Sequence, residues 1–244
     1  MTKEWYWKHH VLHAEMSSMH TFTWILKNRR IYNLDSKKLD SLRSTLNTLL
    51  YNKYIERCSQ DFGAPIFLVP NRYSNDYRLI IDNREQNLSI NSATRPIVKN
   101  TIDIVKSIAE KGYYLSQLDL SKCFFSIELS KRVQQSGISN ILCQLGCFRM
   151  TRALTGNLAV PAYLYNYILP YLENDSNDNY SPLNSNLELY YDDLNLHSPQ
   201  SMSFEEHLAD LDELLKRISR AGFRINIEKS RFAECLENNT FKIL

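Results

Sequence analysis

Apolar residues Leu39, Leu42, Leu46, Leu49 and Leu50 recur at helical spacing behind Asp35-Ser36, which predicts an amphipathic, side-chain-capped helix ending near Tyr54. The pattern then changes to strand-like runs, Pro65-Ile66-Phe67-Leu68-Val69-Pro70 and Tyr77-Arg78-Leu79-Ile80-Ile81-Asp82, around a polar turn over residues 71–76. Two such runs around a short polar stretch predict a hairpin. A short helix over residues 101–110, closed by Gly112, leads into a strand over 114–120. After a variable, partly extended region come a helix over about 157–172, strands over 187–191 and 194–198, and a helix over 204–221. That last helix has a capping box in Ser203 and Glu206, an inward stripe of Leu208, Leu211, Leu215 and Ile218, and Gly222 as its stop. A strand over 223–227 closes the set. From residue 114 onward the order is β-α-β-β-α-β, the split βαβ or ferredoxin-like order. The asparagine-rich stretch over 173–186 has no apolar period and is expected to be an exposed, mobile loop.

Leu187-Glu188-Leu189-Tyr190-Tyr191-Asp192-Asp193-Leu194-Asn195-Leu196-His197 reads as two short apolar strands joined by a turn with two adjacent carboxylates. Aspartate is disfavoured in strands and favoured in turns, so the pair sits at the tip of a hairpin. Two anions so close call for a positive partner, and Mg²⁺ held by one or two carboxylates plus substrate phosphates is the economical one; the same pair also fits a solvated surface turn. Asp119 ends a second apolar strand, Tyr114-Leu115-Ser116-Gln117-Leu118-Asp119. In the ferredoxin-like order that strand and the hairpin lie side by side in one antiparallel sheet. Asp119 is therefore expected beside Asp192 and Asp193, as a candidate two-metal site.

Composition changes this picture little. A chain of 244 residues, 43% hydrophobic and 23% charged, can bury a substantial core. No apolar run approaches the roughly 18 residues of a membrane span, and the N-terminus is not built like a signal peptide, so no membrane partner and an intracellular location are expected. Five scattered cysteines argue against a disulfide framework, and Cys143 and Cys147 lack the partners of a zinc site. His9, His10 and His13 likewise lack a partner cluster. With a net charge of only +2, phosphate binding must be local. Basic residues gather at Lys27-Asn28-Arg29-Arg30 and over residues 72–84 and 216–231, where a solvated face is the plain alternative.

These residues together make the chain resemble a reverse transcriptase domain, most closely of the Ty3/Gypsy long-terminal-repeat retrotransposon and retroviral type. Tyr190-Tyr191-Asp192-Asp193 resembles the family's Tyr-x-Asp-Asp motif, and Leu118-Asp119-Leu120-Ser121-Lys122-Cys123-Phe124-Phe125 its first acidic motif. Tyr77-Arg78-Leu79-Ile80-Ile81-Asp82-Asn83-Arg84-Glu85-Gln86-Asn87 is similar to the fingers signature. Leu154-Thr155-Gly156-Asn157 is similar to the glycine segment behind the nucleotide, and Ala221-Gly222-Phe223-Arg224-Ile225-Asn226-Ile227-Glu228-Lys229 to the closing Ala-Gly-x-x-x-Asn-x-x-Lys segment.

The resemblance implies an α+β right-hand polymerase fold with a ferredoxin-like palm, fingers, and a thumb largely absent. Fingers would cover residues 1–91 and 126–150, and palm 92–125 and 151–244. It implies two Mg²⁺ ions, with Mn²⁺ as substitute, on Asp119, Asp192, Asp193 and the Leu120 carbonyl. Lys229 would serve as general acid or electrostatic partner. Arg78, Arg72, Thr155 and Gly156 would bind the deoxynucleotide, and Phe124 would close the space of a ribose 2′-OH. Arg84, Asn87, Tyr190 and Tyr191 would meet template and primer. The implied partners are an RNA or DNA template with primer, dNTPs, and polyprotein protease, RNase H and integrase domains. The implied location is cytoplasmic particles with a nuclear phase.

The chain departs from the family pattern at Pro70-Asn71, where lysine is usual, at Leu154-Thr155, at the bulky Tyr191, and at Thr240-Phe241-Lys242-Ile243-Leu244, which lacks the primer-grip glycine. A catalytically inactive or domesticated palm–fingers module that binds nucleic acid or protein is therefore the alternative expectation.

Overall fold

The computed structural model describes residues 11–12, 30–71, 76–88, 100–153, 155–157, 159–173, 182–190, 192–237 and 240–243. Several expectations fall outside them: Arg72, Leu154, Tyr191, the histidines at positions 9, 10 and 13, the basic residues 27–29, and residues 174–181 of the asparagine-rich stretch. The chain divides into two units, Met1–Arg95 with Phe124–Val160 and Pro96–Cys123 with Pro161–Leu244.

The first unit holds β1 (Val11–Leu12), α1 (Ser36–Tyr51), β2 (Ile55–Arg57), β3 (Ala64–Pro70), β4 (Tyr77–Ile81) and α2 (Arg84–Leu88). It resumes after a 3₁₀ turn, Cys123–Ser126, with β6 (Glu128–Leu129), α4 (Lys131–Gln135), β7 (Asn140–Cys143) and β8 (Gly146–Met150). The α1 helix starts where the sequence says it should: the Asp35 Oδ1 accepts from Lys38 N at 2.9 Å, and Leu42 and Leu46 bury its inner face. The predicted hairpin forms with Ile66 opposite Ile81 and Pro70 opposite Tyr77. It extends into a five-stranded sheet of order β2-β8-β7-β3-β4, in which β3 and β7 run parallel. Ile55, Ile66, Ile141, Phe148 and Met150 are among its buried apolar residues.

The second unit holds α3 (Thr101–Lys111), β5 (Tyr114–Asp119), the end of α5 (Ala159–Tyr163), a π-helical turn over Leu164–Ile168, and α6 (Leu169–Glu173). The hairpin of β9 (Asn186–Tyr190) and β10 (Asp193–Ser198) follows, then α7 (Phe204–Arg220), β11 (Arg231–Glu237) and β12 (Thr240–Ile243). Its sheet order is β12-β11-β5-β10-β9, all antiparallel, and the four strands β11-β5-β10-β9 make the ferredoxin-like arrangement. Leu118, Leu194, Leu196, Leu187 and Leu189 share one face of this sheet by register and are buried, as are Leu211, Leu214 and Ile218 of α7. Among the described residues no helix is long and apolar enough to cross a membrane, and all five cysteines are free thiols.

Three expectations are corrected in this unit. The helix over 157–172 is broken into α5, the π turn and α6. Pro161 sits harmlessly in a first turn, but Pro170 has no N–H to offer the preceding turn, and the helix widens just before it. The strand over 223–227 is replaced by a single bridge between Leu120 and Ile225, and the strand that pairs with β5 is β11. The inward stripe of α7 is shifted: Leu208 is exposed, whereas His207, Asp210 and Arg217 are buried beside Leu211, Leu214 and Ile218. The capping box and the Gly222 stop, at φ +78°, are as expected.

Polar residues enter that interface because they satisfy one another. His207 Nε2 pairs with Ser116 Oγ at 2.9 Å and its Nδ1 with Ser198 Oγ at 2.5 Å, while Asp210 accepts from Ser185 N at 2.6 Å. Burial pushes the His207 imidazole down to about 4; the His197 ring adds to this, and the Asp210 carboxylate opposes it. The folded value lies below the ordinary 6.5, so protonation favours the unfolded chain. Stability is complete above pH 6.5 and falls as pH drops towards 4, by about 3 kcal/mol from this group. Urea unfolding at stepped pH should show that slope in the wild type and a shallower one in His207→Gln. Equal slopes would contradict the assignment.

Candidate active site

Side chains alternate across a strand and register partners share a face, so the residues opposite the buried leucines can be read off the pairing. Asp193 stands opposite Asp119, Asn195 opposite Gln117 and His197 opposite Leu115. Tyr190 is the partner of Asp193 on the other side. Two of the predicted carboxylates are thus direct cross-strand neighbours, with Cβ atoms about 5 Å apart by the geometry of such pairs. The third, Asp192, occupies the hairpin turn, and its carbonyl accepts from Leu120 N at 3.2 Å. The turn is thereby tied to the end of β5.

The electrostatics follow from this crowding. Burial raises the Asp193 carboxyl above the usual aspartate range, the Asp192 and Asp119 carboxylates raise it further, and Lys229 opposes them. The Lys229 Nζ lies 3.9 Å from Asp119 Oδ2, with most of its side chain in solvent. Burial first, then the same two carboxylates, raises the neighbouring Cys123 thiol to about 12, which keeps it a thiol. Among the described residues no group of three His, Cys, Asp or Glu side chains is placed to hold a metal ion. The donor set nevertheless fits a hard divalent cation: carboxylate oxygens that repel one another, on a fixed register, with one lysine near. Leu120 has a buried side chain and sits in the bridge to Ile225, made by Ser121 N to Arg224 O and Asn226 N to Asp119 O. A cavity of about 340 Å³ opens on the same face, lined by Ile104, Val105, Ile108, Gln117, Tyr190 and Asp193 among others.

The remaining predicted residues lie in the first unit. Arg78 is an exposed residue of β4, opposite Val69. Phe124 is half-buried in the 3₁₀ turn, where its neighbour Phe125 stacks on Tyr54 at 5.1 Å. Thr155 and Gly156 form a turn with Gly156 at φ +83°, a conformation that favours glycine. That turn is clamped by two asparagines of the fingers-like signature: Asn83 Nδ2 donates to Thr155 O at 2.8 Å, and Asn87 Nδ2 to Gly156 O at 2.9 Å. Arg84 is engaged by Asp82 through Nε at 2.8 Å and Nη2 at 2.7 Å, and Tyr32 donates to the same carboxylate. This holds the Asp82 carboxyl far below its ordinary range. Tyr190 ends β9 beside the acids.

Sequence reasoning missed Ser230 and gave Asn226, the asparagine of the closing motif, no role; the two take over the backbone of Asp119. Asn226 N donates to Asp119 O at 2.9 Å, and Asp119 N donates to Ser230 Oγ at 3.0 Å. The prior signal for Asn226 was its place in that motif, and Ser230 directly follows the motif's lysine.

The family model described as reverse transcriptase (RNA-dependent DNA polymerase) matches residues 69–244. The chain is 23% identical over 235 residues to the Pro-Pol polyprotein of simian foamy virus type 3 (strain LK3), covering 94% of this chain and 19% of the relative. It is 27% identical over 112 residues to the Gag-Pol polyprotein of walleye dermal sarcoma virus, covering 45% and 6%. The chain therefore spans about a fifth or less of the length of these curated relatives. The native crystal structure of prototype foamy virus protease-reverse transcriptase superposes with a TM-score of 0.67 at 21% identity, over 83% of this chain and 25% of that one. A foamy viral protease-reverse transcriptase in complex with double-stranded DNA superposes with a TM-score of 0.64 at 21% identity, over 87% and 35%. The polymerase fold is thus shared.

Proposed function

The chain belongs to the reverse transcriptase (RNA-dependent DNA polymerase) family, and on that premise we propose that it is the fingers and palm of a retroelement's RNA-directed DNA polymerase. It would join a dNTP to a primer 3′-OH on an RNA or DNA template and release pyrophosphate. The observation that carries this reading is Asp119 in register with Asp193, beside the turn that holds Asp192. Asp119, Asp192 and Asp193, with the Leu120 carbonyl, would hold two Mg²⁺ ions, or Mn²⁺ in their place. When bound, such ions lower the pKa of the attacking hydroxyl and neutralise the triphosphate.

The chain's own groups supply the rest. Lys229 holds its Nζ near Asp119, available to the departing pyrophosphate or as a counter-charge. Arg78 and Arg72 carry charge-assisted donors for the triphosphate. The Thr155-Gly156 turn, held by Asn83 and Asn87, presents bare backbone to the base and sugar. Asn87 acts on template and primer through the turn it braces, Arg84 from beside Asp82, and Tyr190 and Tyr191 through the hairpin tip. Protease, RNase H and integrase domains of a longer polyprotein are the proposed partners.

Phe124 gives the reading its sharpest test of substrate class. The wild type should extend a DNA primer with dNTPs in strong preference to rNTPs, and Phe124→Val should cut that preference roughly tenfold or more, since the pocket would no longer reject the extra hydroxyl. Single-nucleotide incorporation measured with matched dNTP and rNTP checks it; unchanged discrimination would remove Phe124 from the role.

A further inference from the structure

Building on the polymerase reading, we propose that Ser230 is a positioning residue: its hydroxyl sets the place of Asp119 in the metal site and of Lys229 beside it. The β11 strand pairs with β5 at Arg231 opposite Gln117, and two more steps in that register would set Lys229 opposite Asp119. The strand does not continue. Residues 226–230 fold into a tight turn, with Lys229 N and Ser230 N both donating to Asn226 O, at 3.2 and 3.0 Å. Asp119 thus lies beyond the end of the β11 ladder.

A hydroxyl replaces the missing bond. Ser230 Oγ accepts from Asp119 N at 3.0 Å and donates to Asn226 O at 2.8 Å. Asn226 N in turn donates to Asp119 O at 2.9 Å, so a closed ring of three bonds joins the turn to the strand end. Only a group that both donates and accepts can close this ring, which a hydroxyl does and a methyl does not. Lys229 is the residue inside the turn, and the ring holds its Nζ 3.9 Å from Asp119 Oδ2. Removing the hydroxyl leaves a half-buried N–H without its acceptor and unpins the turn, so both side chains lose their fixed origin. Small displacements of catalytic groups are costly in rate even when the fold is kept.

The test compares the full chain with Ser230→Ala and with Ser230→Thr, which restores the hydroxyl. Mn²⁺ affinity, read by electron paramagnetic resonance of the free ion, reports the metal site without requiring polymerisation; steady-state dNTP incorporation gives kcat and KM. Ser230→Ala should bind Mn²⁺ about tenfold more weakly and lose about tenfold in kcat, with KM for dNTP within about twofold, and Ser230→Thr should recover most of both. Wild-type behaviour of Ser230→Ala, or failure of Ser230→Thr to recover, overturns the proposal. A wild type whose Mn²⁺ binding depends on Ser230 but which extends no primer sinks the polymerase reading while upholding this one. A wild type that binds no Mn²⁺ overturns both.

Discussion

Asp119→Asn is expected to lower kcat for nucleotide addition by roughly 10³-fold or more while leaving the chain folded. The change removes one of three carboxylates that share the end of one hairpin and its neighbouring strand, and with it the capacity to hold a cation there. The backbone of Asp119 is anchored independently of its carboxylate, through Ser230 Oγ, Asn226 N and the pairing with Asp193. The carboxylate it removes is one of two that raise the Asp193 carboxyl, so the metal-free protein loses a repulsion. The unfolding free energy should therefore stay within about 1 kcal/mol of wild type. Incorporation kinetics alongside urea unfolding checks both halves. Loss of activity together with loss of fold would make Asp119 a structural residue instead.

Arg217→Ala is expected to do the reverse, lowering stability by about 3–5 kcal/mol through the loss of a buried charged partner. Its side chain is fully buried, with Nε 2.9 Å from Glu213 Oε1 and Nη1 donating to Leu172 O at 2.8 Å and Glu173 O at 3.0 Å. Those carbonyls end α6, where a helix has unsatisfied acceptors and a partial negative charge. One guanidinium therefore closes α6 and ties it to α7. Alanine leaves the carbonyls and Glu213 facing a cavity. Arg217→Lys keeps the charge but cannot span all three acceptors, and should fall between the two. At about 2–4 °C per kcal/mol for a chain of this size, the alanine variant's melting point should drop by about 10 °C. A shift of a degree or two by circular dichroism would contradict this role.

Much of the fold was legible because local signals agreed with the tertiary structure. The Asp35 cap, the strand-like runs of β3 and β4 around their polar turn, the Ser203–Glu206 box and Gly222 each act within a few residues. The juxtaposition of Asp119 with the acid pair was legible from element order, since a ferredoxin-like order sets the first strand against the hairpin. The failures have a common cause in tertiary satisfaction of polar groups. Leu208 was placed inside, and His207, Asp210 and Arg217 were left out of the inward stripe, because a hydrophobic stripe is the default reading of a helix. Their partners Ser116, Ser198, Ser185 and Leu172 are distant in sequence. Phe223-Arg224-Ile225-Asn226-Ile227 alternates like a strand, but Asn226 and Ser230 offered the chain a turn that bonds to Asp119. The β11 strand then starts with a register shift between Arg231 and Glu234, where Ala233 takes φ +50°, a conformation that sequence pattern does not announce. At Asn87, which the resemblance set against template and primer, the bond to Gly156 was hidden for the same reason, whereas the Arg84–Asp82 pair is local.

The central claim is that three carboxylates on one end of this sheet perform metal-dependent nucleotide addition. The most direct test is extension of a DNA primer on an RNA template by the full chain with dNTPs, with and without Mg²⁺, beside an Asp192→Asn, Asp193→Asn double variant. The account predicts extension that requires Mg²⁺ and disappears in the double variant. Extension that survives in the variant, or none in a folded wild type supplied with Mg²⁺, would contradict it, and the latter would favour a palm–fingers module that has lost its chemistry.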